Sequence, residues 1–126
     1  KRKTRVVLCG SADPLAATPT CDGTTNTWTT GWLVFQELSD PSNDTFESDT
    51  DVLLKIGFPS GREIEVKTNS VNLEFNMDGT TNMVGQTARY AVCDSRGGAV
   101  GRLVTVAPHG RPRITVGIPV VSEVQC

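Results

Sequence analysis

The chain has 126 residues, of which 37% are hydrophobic, and it carries a formal net charge of −2. This length supports one hydrophobic core, so residues 1–126 are interpreted as a single domain. The slightly acidic balance gives no global attraction to nucleic acid or to an anionic membrane. The sequence contains no run of about eighteen apolar residues that could span a bilayer.

The first third of the chain predicts two strands separated by a long loop. Residues 5–9 are short and β-branched, and residues 31–35 form a compact apolar run typical of a central strand. The loop at 10–30 is rich in Ala, Thr, Pro, Asp and Gly, and a loop of this length needs a constraint. Trp28 and Trp32 are expected to lie in the core or to cover it, rather than to stack on a ligand.

Residues 39–51 are polar and acidic and are predicted to form a loop. Its alternating oxygen side chains resemble those of a calcium-binding loop. However, Thr45 stands where that motif, counted from Asp40, needs glycine, and Asp51 replaces the bidentate glutamate. We therefore expect a solvated loop without a metal, and calcium binding is the alternative.

The middle of the chain is predicted to be antiparallel β structure. Residues 52–58 and 62–68 are expected to pair as a hairpin through the Pro-Ser-Gly turn at 59–61. The second of these strands alternates, with Ile64 and Val66 on one face and charged residues on the other. A turn at 69–70 should lead into a strand at 71–75, and a further strand is expected at 86–93.

Residues 101–116 predict a last hairpin. A β-branched apolar run breaks at Pro108-His109-Gly110 and resumes after the basic sequence Gly110-Arg111-Pro112-Arg113. No segment of the chain shows a convincing helical period. The sequence therefore predicts a mainly β fold with antiparallel sheets.

The four cysteines predict two disulfides. Cys9, Cys21, Cys93 and Cys126 are an even number without C-x-x-C spacing, which argues against a zinc site or a redox pair and for a compartment outside the cytoplasm. A bond from Cys9 to Cys21 would constrain the long loop. A bond from Cys93 to Cys126 would close the last hairpin into a loop, and each such bond contributes roughly 3 to 4 kcal/mol.

Catalysis finds no support in the residue inventory. The single histidine, His109, lies in the predicted turn beside two arginines, and no serine or cysteine nearby is placed as an activated nucleophile. The carboxylates lack apolar surroundings that would tune their pKa values for acid–base chemistry. We predict no catalytic residue, no metal ligand and no cofactor.

Five segments, in this order, resemble the soluble domains of type II pseudopilins and minor type IV pilins. They are Val6-Val7-Leu8-Cys9, the glycine-containing loop reaching Cys21, Gly31-Trp32-Leu33-Val34-Phe35, Tyr90-Ala91-Val92-Cys93-Asp94 and Gly110-Arg111-Pro112-Arg113. The similarity covers nearly the whole chain. It is nearest to the GspH/FimT group, and within that group to the FimU-like minor pilins of twitching-motility pili.

The resemblance implies the mainly β soluble head of an α+β pilin-like fold. In that family a long amino-terminal helix anchors the subunit in the inner membrane by its first half and packs on the head by its second half. Lys1 to Arg5 are then expected to be the end of this helix, most of which is absent from the sequence. The implied location is the periplasm and inner membrane, with incorporation into a pilus at the bacterial cell surface.

The resemblance also implies a non-enzymatic role in type IV pilus assembly. The subunit would link the tip or priming complex of minor pilins to the fibre and support twitching motility, with other minor pilins and the major pilin as partners. A type II secretion pseudopilin of the GspH class is one alternative. A minor pilin that binds DNA weakly during natural transformation is the other.

The DNA-binding alternative depends on four arginines. Arg111 and Arg113 on a stiff proline-containing turn would contact successive phosphates, and Arg96 and Arg102 would join them. The acidic net charge favours assembly over this alternative, because phosphate-binding surfaces are usually broadly basic. In a purely structural alternative, the turn arginines bond carbonyls or pair with Asp94 or Glu123.

Overall fold

The alternation of β-branched and polar residues produces two antiparallel sheets of four strands each. The structure, a computed structural model, describes residues 5–22, 28–38, 45–58, 63–70, 72–83, 85–118 and Val124. The strands are β1 (Arg5–Gly10), β2 (Trp32–Glu37), β3 (Val52–Gly57), β4 (Glu65–Thr68), β5 (Asn72–Phe75), β6 (Ala88–Cys93), β7 (Arg102–Val106) and β8 (Pro112–Val116). One turn of 3-10 helix, Gly98–Val100, precedes β7. Within these ranges no helix has the length and apolar character needed to cross a membrane.

The first sheet has the strand order β3-β2-β1-β5 and buries one face over its own core. Val7 lies opposite Phe35, and Cys9 lies opposite Leu33, so the four side chains project from the same face. All four are at most 1% exposed. Phe46, from the connection that precedes β3, closes this core with its ring centroid 5.3 Å from that of Phe35.

The second sheet has the order β4-β6-β7-β8, and its central strand β6 is covered on both faces. Ala88 and Tyr90 project from one face, while Ala91 and Cys93 project from the other and pack with Leu103, Ile118 and Val124. The mainly β, antiparallel fold expected from the sequence is confirmed. The hairpin expected at 101–116 is also present, as the antiparallel pair β7 and β8.

Trp28 joins the two sheets. Its backbone N–H donates to the carbonyl of Val66 in β4 at 2.8 Å, and its ring centroid lies 4.8 Å from that of Tyr90 in β6. On the other side its indole lies against Gly10 of β1, where a Cβ atom would be 2.6 Å from the indole Cδ1. Only glycine leaves room for this contact, so Trp28 is a core residue, as expected.

The connection before β3 differs from a plain solvated loop. The Asp51 carboxylate is buried and accepts hydrogen bonds from the backbone N–H groups of Leu38, at 2.8 Å, and Glu47, at 2.9 Å. Asp51 therefore closes this connection by satisfying two backbone donors. Residues 39–44 of the acidic stretch, where the alternative calcium loop would begin at Asp40, lie outside the described residues.

The hairpin expected between residues 52–58 and 62–68 is wrong. β3 pairs with β2 in the first sheet, whereas β4 pairs with β6 in the second. The strand expected after the turn at 69–70 is present as β5, which pairs with β1. Alternation shows which side chains share a face, but it carries no information about which strand is the neighbour.

Two further expectations concern the ends of the chain. Arg5, expected to end a helix, is instead the first residue of β1, and residues 1–4 lie outside the described residues. A disulfide joins Cys9 and Cys21, as expected for the long loop, with Cα atoms 5.6 Å apart. Cys93 is also disulfide-bonded. Its expected partner, Cys126, lies outside the described residues.

Removing the first disulfide with the double variant Cys9→Ala, Cys21→Ala should lower the free energy of unfolding by about 3 kcal/mol. The unfolded chain then regains the entropy that closure of this short loop removes. Urea unfolding followed by tryptophan fluorescence measures the change. Thr18→Ala, at an exposed position in the same loop, is the control and should change nothing. A loss below about 1 kcal/mol would contradict the entropic argument.

Non-reducing peptide mapping should recover Cys93 linked to Cys126. The terminal cysteine would otherwise be free in a chain with an even number of cysteines. A peptide pair joining Cys93 to Cys9 or to Cys21 would contradict this pairing.

Candidate functional site

The two sheets face each other across an apolar groove of about 550 Å3. Every side chain that lines it is aliphatic, aromatic or proline. The first sheet and its connections contribute Leu8, Trp28, Trp32, Phe58, Leu73 and Phe75, and the second sheet with its flanks contributes Ile64, Val66, Tyr90, Val92, Val104, Val106 and Pro112. A groove of this composition binds apolar surface rather than a charged or polar ligand.

Strand register explains why these side chains meet. Leu8 in β1 lies opposite Leu73 in β5, and Tyr90 in β6 lies opposite Val104 in β7. Opposite residues in an antiparallel pair project from the same face. Each sheet therefore turns a continuous apolar face toward the groove. In the first sheet this is the face opposite the one that covers the core.

Two residues that line the groove carry buried polar atoms without a hydrogen-bond partner, Nε1 of Trp28 and the hydroxyl of Tyr90. Burial raises the pKa of the Tyr90 hydroxyl, because the phenolate would lose its hydration. Thr68 lies opposite Tyr90 in β4, and its nearby hydroxyl has the smaller, opposing influence on this pKa, although no hydrogen bond of ordinary geometry joins the two hydroxyls. Both rings thus contribute apolar packing, while their polar atoms add a cost.

One wall of the groove continues onto exposed apolar side chains. Ile114 lies opposite Val104 and therefore shares its face. Ile114 and Val116 are 69% and 71% exposed, and Phe58 is 50% exposed at the opposite sheet. Exposed apolar patches that extend a groove in this way mark surfaces that another segment or protein covers.

The four arginines singled out from the sequence do not form one cluster. Arg111 and Arg113 lie together at the start of β8, and Arg113 is opposite Thr105. Arg102 is opposite Val116, which lies three residues after Arg113 at the far end of the same strand pair. Three residues of a strand span roughly 10 Å, and this odd number places the Arg102 side chain on the opposite face of the sheet from that of Arg113.

Arg96 is engaged in a local ion pair. Its guanidinium lies 2.7 Å from Asp94 in the turn after β6. Hydrogen bonds from the Arg96 side chain are the largest cause holding the pKa of Asp94 below its usual value. Both groups are exposed to solvent, so the pair adds little stability. Asp94 thus pairs with Arg96 rather than with Arg111 or Arg113, and Glu123 lies outside the described residues.

The turn between β7 and β8 is fixed to the first sheet. The carbonyl of Pro108 accepts a hydrogen bond from the Thr81 N–H at 2.8 Å. Gly110 has φ = +90° and packs directly on the carbonyl of Gly79, so a side chain there would be excluded by both strain and space. His109 is exposed at the tip of this turn. The arginines therefore project from a rigid support.

The sequence does not reveal the groove as a functional feature. Its residues come from seven strands and three connections, and no local motif links them. In the described part of the chain, no three His, Cys, Asp or Glu side chains are close enough together to hold a metal ion. The groove and the basic turn are thus the two features available for function.

Comparison with known proteins points to one family and one fold. Residues 1–110 match the family model of the type II transport protein GspH. Two crystal structures of the type IV minor pilin FimU from Pseudomonas aeruginosa PAO1 are similar in fold. The structure in space group P65 has a TM-score of 0.56 at 16% identity and covers 90% of this chain and 74% of that one. The structure in P21 has a TM-score of 0.57 at 17% identity, with 90% and 71% covered. No curated protein sequence matches the chain.

Replacing Tyr90, the only tyrosine, with phenylalanine should leave stability at pH 7 unchanged or slightly raised, because a buried hydroxyl without a partner is removed. At alkaline pH the two proteins should diverge. The raised pKa in the folded state means that only the unfolded tyrosine ionises just above pH ~10. Tyr90 therefore makes its full contribution to stability below that pH. Above it, the free energy of unfolding of the wild type should fall by about 1.4 kcal/mol per pH unit.

Urea unfolding of both proteins at pH 7 and pH 11 checks this expectation. The difference between wild type and Tyr90→Phe cancels the titration of the lysines, which is common to both. Parallel losses of stability in the two proteins would show that Tyr90 ionises equally in the folded and unfolded states.

Proposed function

The chain belongs to the GspH family of type II transport proteins, and on this basis we propose that it is a non-catalytic minor pilin that acts in type IV pilus assembly. The observation that carries the proposal is the apolar groove between the two sheets. A head domain with such an open groove needs an apolar segment to cover it, and an amphipathic helix fits this requirement.

The start of β1 lies beside the groove. Val6 is opposite Phe75, one of the groove-lining residues. A helix that precedes β1 would need only to turn back over the sheet to place its apolar stripe in the groove. In this proposal the second half of an amino-terminal helix covers the groove, and the first half anchors the subunit in the inner membrane.

The assembled role follows from this arrangement. The helix supplies most of the packing within a fibre, while the periplasmic head selects its neighbours among other minor pilins and the major pilin. The subunit would join the tip complex to the fibre and support twitching motility at the cell surface. Type II secretion is the alternative system for the same architecture, consistent with the family name.

Complementation of a deletion strain tests the proposal. Deleting the gene in the source organism should reduce the number of surface fibres and the recovery of other minor pilins in complex, and the wild-type gene should restore both. Val104→Asp should fail to restore them, because it places a carboxylate in the groove where the helix would pack.

Gln86→Asp is the matched control. It introduces the same charge at an exposed position before β6 that does not line the groove, and it should restore fibres fully. Normal fibre numbers in the deletion strain, or equal behaviour of the two aspartate variants with folded heads, would overturn the proposal.

DNA binding at the β7–β8 turn is a second candidate. It is favoured by the exposure of Arg111 and Arg113, for which the described residues provide no ion pair. The stretch from Ser95 to Ser122 also contains four arginines and no acidic residue. Two arginines form only a small basic surface, so the affinity for DNA should be weak and independent of base sequence.

The double variant Arg111→Ala, Arg113→Ala should weaken binding to all duplex sequences alike. It should also reduce the dependence of log K on log salt by about one unit per lost phosphate contact. Fluorescence anisotropy with a labelled duplex at several salt concentrations measures both effects. An absence of binding to the wild type at low salt would eliminate this candidate.

A further inference from the structure

The outer edge of β8 has the geometry of a strand-docking site. β8 is the last strand of its sheet, and no described strand pairs with its outer side. All five of its residues are exposed. It also lies beyond residues 1–110, the part matched by the family model. Its properties therefore have to be derived from this chain's own residues.

The hydrogen-bond pattern shows which groups of β8 face outward. Ala107 donates to the carbonyl of Arg111 at 3.0 Å, and Gly117 donates to that of Gly101 at 2.8 Å. Hydrogen-bonded and non-hydrogen-bonded pairs alternate between these two points. Arg113 and Thr115 consequently direct their backbone N–H and C=O groups inward to β7. The backbone N–H and C=O groups of Ile114 and Val116 face outward.

Pro112 fits this pattern. It lies opposite Val106 in a non-hydrogen-bonded pair, so its missing N–H falls on the outer edge and costs the β7–β8 ladder nothing. An incoming strand would find two complete donor and acceptor sets, at Ile114 and Val116. The carbonyl of Pro112 would add one further acceptor.

The other three edge strands are protected against such pairing. β4 has four residues and carries Glu65 and Lys67, and β5 also has four residues. β3 carries Lys55, and its pairing is irregular opposite Val34 and Phe35. Short length, charge and bulges all discourage edge pairing. β8 has five regularly paired residues, and the three whose backbone groups face outward, Pro112, Ile114 and Val116, are apolar.

The two faces of the β8 edge differ in chemistry. The side chains of Ile114 and Val116 extend the apolar groove face, whereas those of Arg111 and Arg113 project from the far face beside Thr115. The surrounding stretch from Asp94 to Ser122, which includes the Asp94–Arg96 ion pair, carries a charge of +3. The remainder of the chain, with eight basic and thirteen acidic residues, carries −5. The edge therefore matches a strand that alternates apolar and acidic residues.

We propose that β8 binds an extended, alternating apolar and acidic segment of a neighbouring pilin head, which adds to the second sheet as a fifth, edge-paired strand. This inference rests on the proposed role in pilus assembly and identifies the surface by which the head selects its neighbour. Backbone hydrogen bonds at Ile114 and Val116 supply affinity, and Arg113 supplies the charge preference.

A peptide titration tests the proposal without any pilus. The probe is a blocked nine-residue peptide that alternates valine with aspartate or glutamate, and the comparison peptide has lysine at the acidic positions. Amide NMR of the 15N-labelled chain should show the acidic peptide shifting Ile114 and Val116 and slowing their hydrogen exchange. The lysine peptide should bind about tenfold more weakly or not at all.

Two variants locate the binding. Ile114→Pro removes one outward N–H but leaves the β7–β8 ladder intact, and it should weaken acidic-peptide binding about fivefold. Arg113→Ser should weaken it about threefold, whereas Lys55→Ser, a matched loss of charge on the β3 edge, should not. If Ile114→Pro fails to fold, the Arg113 and Lys55 variants still decide the question.

Four results would overturn the proposal. They are equal binding of both peptides, shifts confined to groove residues such as Leu8 and Leu73, a stronger response of the β8 amides to duplex DNA, and concentration-dependent self-association that protects the same amides. Loss of peptide binding would count against the β8 site alone, because the fibre counts of the deletion strain test the assembly role separately. Normal fibre counts in that strain would reject the assembly role even if the peptide binds.

Discussion

The indole of Trp28 between the two sheets is the contact on which the rest of this structure depends. It packs on the backbone of Gly10 in the first sheet and against the ring of Tyr90 in the second. Its backbone bonds directly to Val66 in β4. Close packing of a large ring against glycine fixes how far apart the sheets can lie at this point. The two sheets are thereby joined at Trp28, and Leu73 of the first sheet packs in the same buried cluster as Val66 of the second.

The groove between the sheets links stability to assembly. The first core, around Val7 and Phe35, is buried and includes Phe46 from the connection before β3. The groove differs from this core, because its apolar side chains come from both sheets and one of its walls continues onto the exposed Ile114 and Val116. In the two proposals, a helix covers the groove and a neighbour pairs with the outer edge of β8. The groove face of the second sheet ends at Ile114 and Val116 on that edge, so a neighbour that pairs with β8 would also border the helix.

The sequence alone determined the class of fold, the family and the chemistry of the long loop. Strand positions were predictable from short β-branched runs. Successive side chains of a strand point to opposite faces, and this two-residue period holds whichever strands are its neighbours. The last hairpin was predictable because its turn residues, Pro108 to Gly110, are local signals. The Cys9–Cys21 bond was predictable for a similar reason, since Cys9 directly precedes the long loop at 10–30 and Cys21 lies within it.

The tertiary structure alone decided which strands are neighbours and what their shared faces build. β3 and β4 are close in sequence but lie in different sheets, because Ile56 packs beside Leu33 in one core and Val66 packs with Trp28 in another. The groove and the outward edge of β8 both depend on register between strands distant in sequence. Register depends on long-range side-chain packing together with backbone pairing. A local pattern of residues does not contain this information.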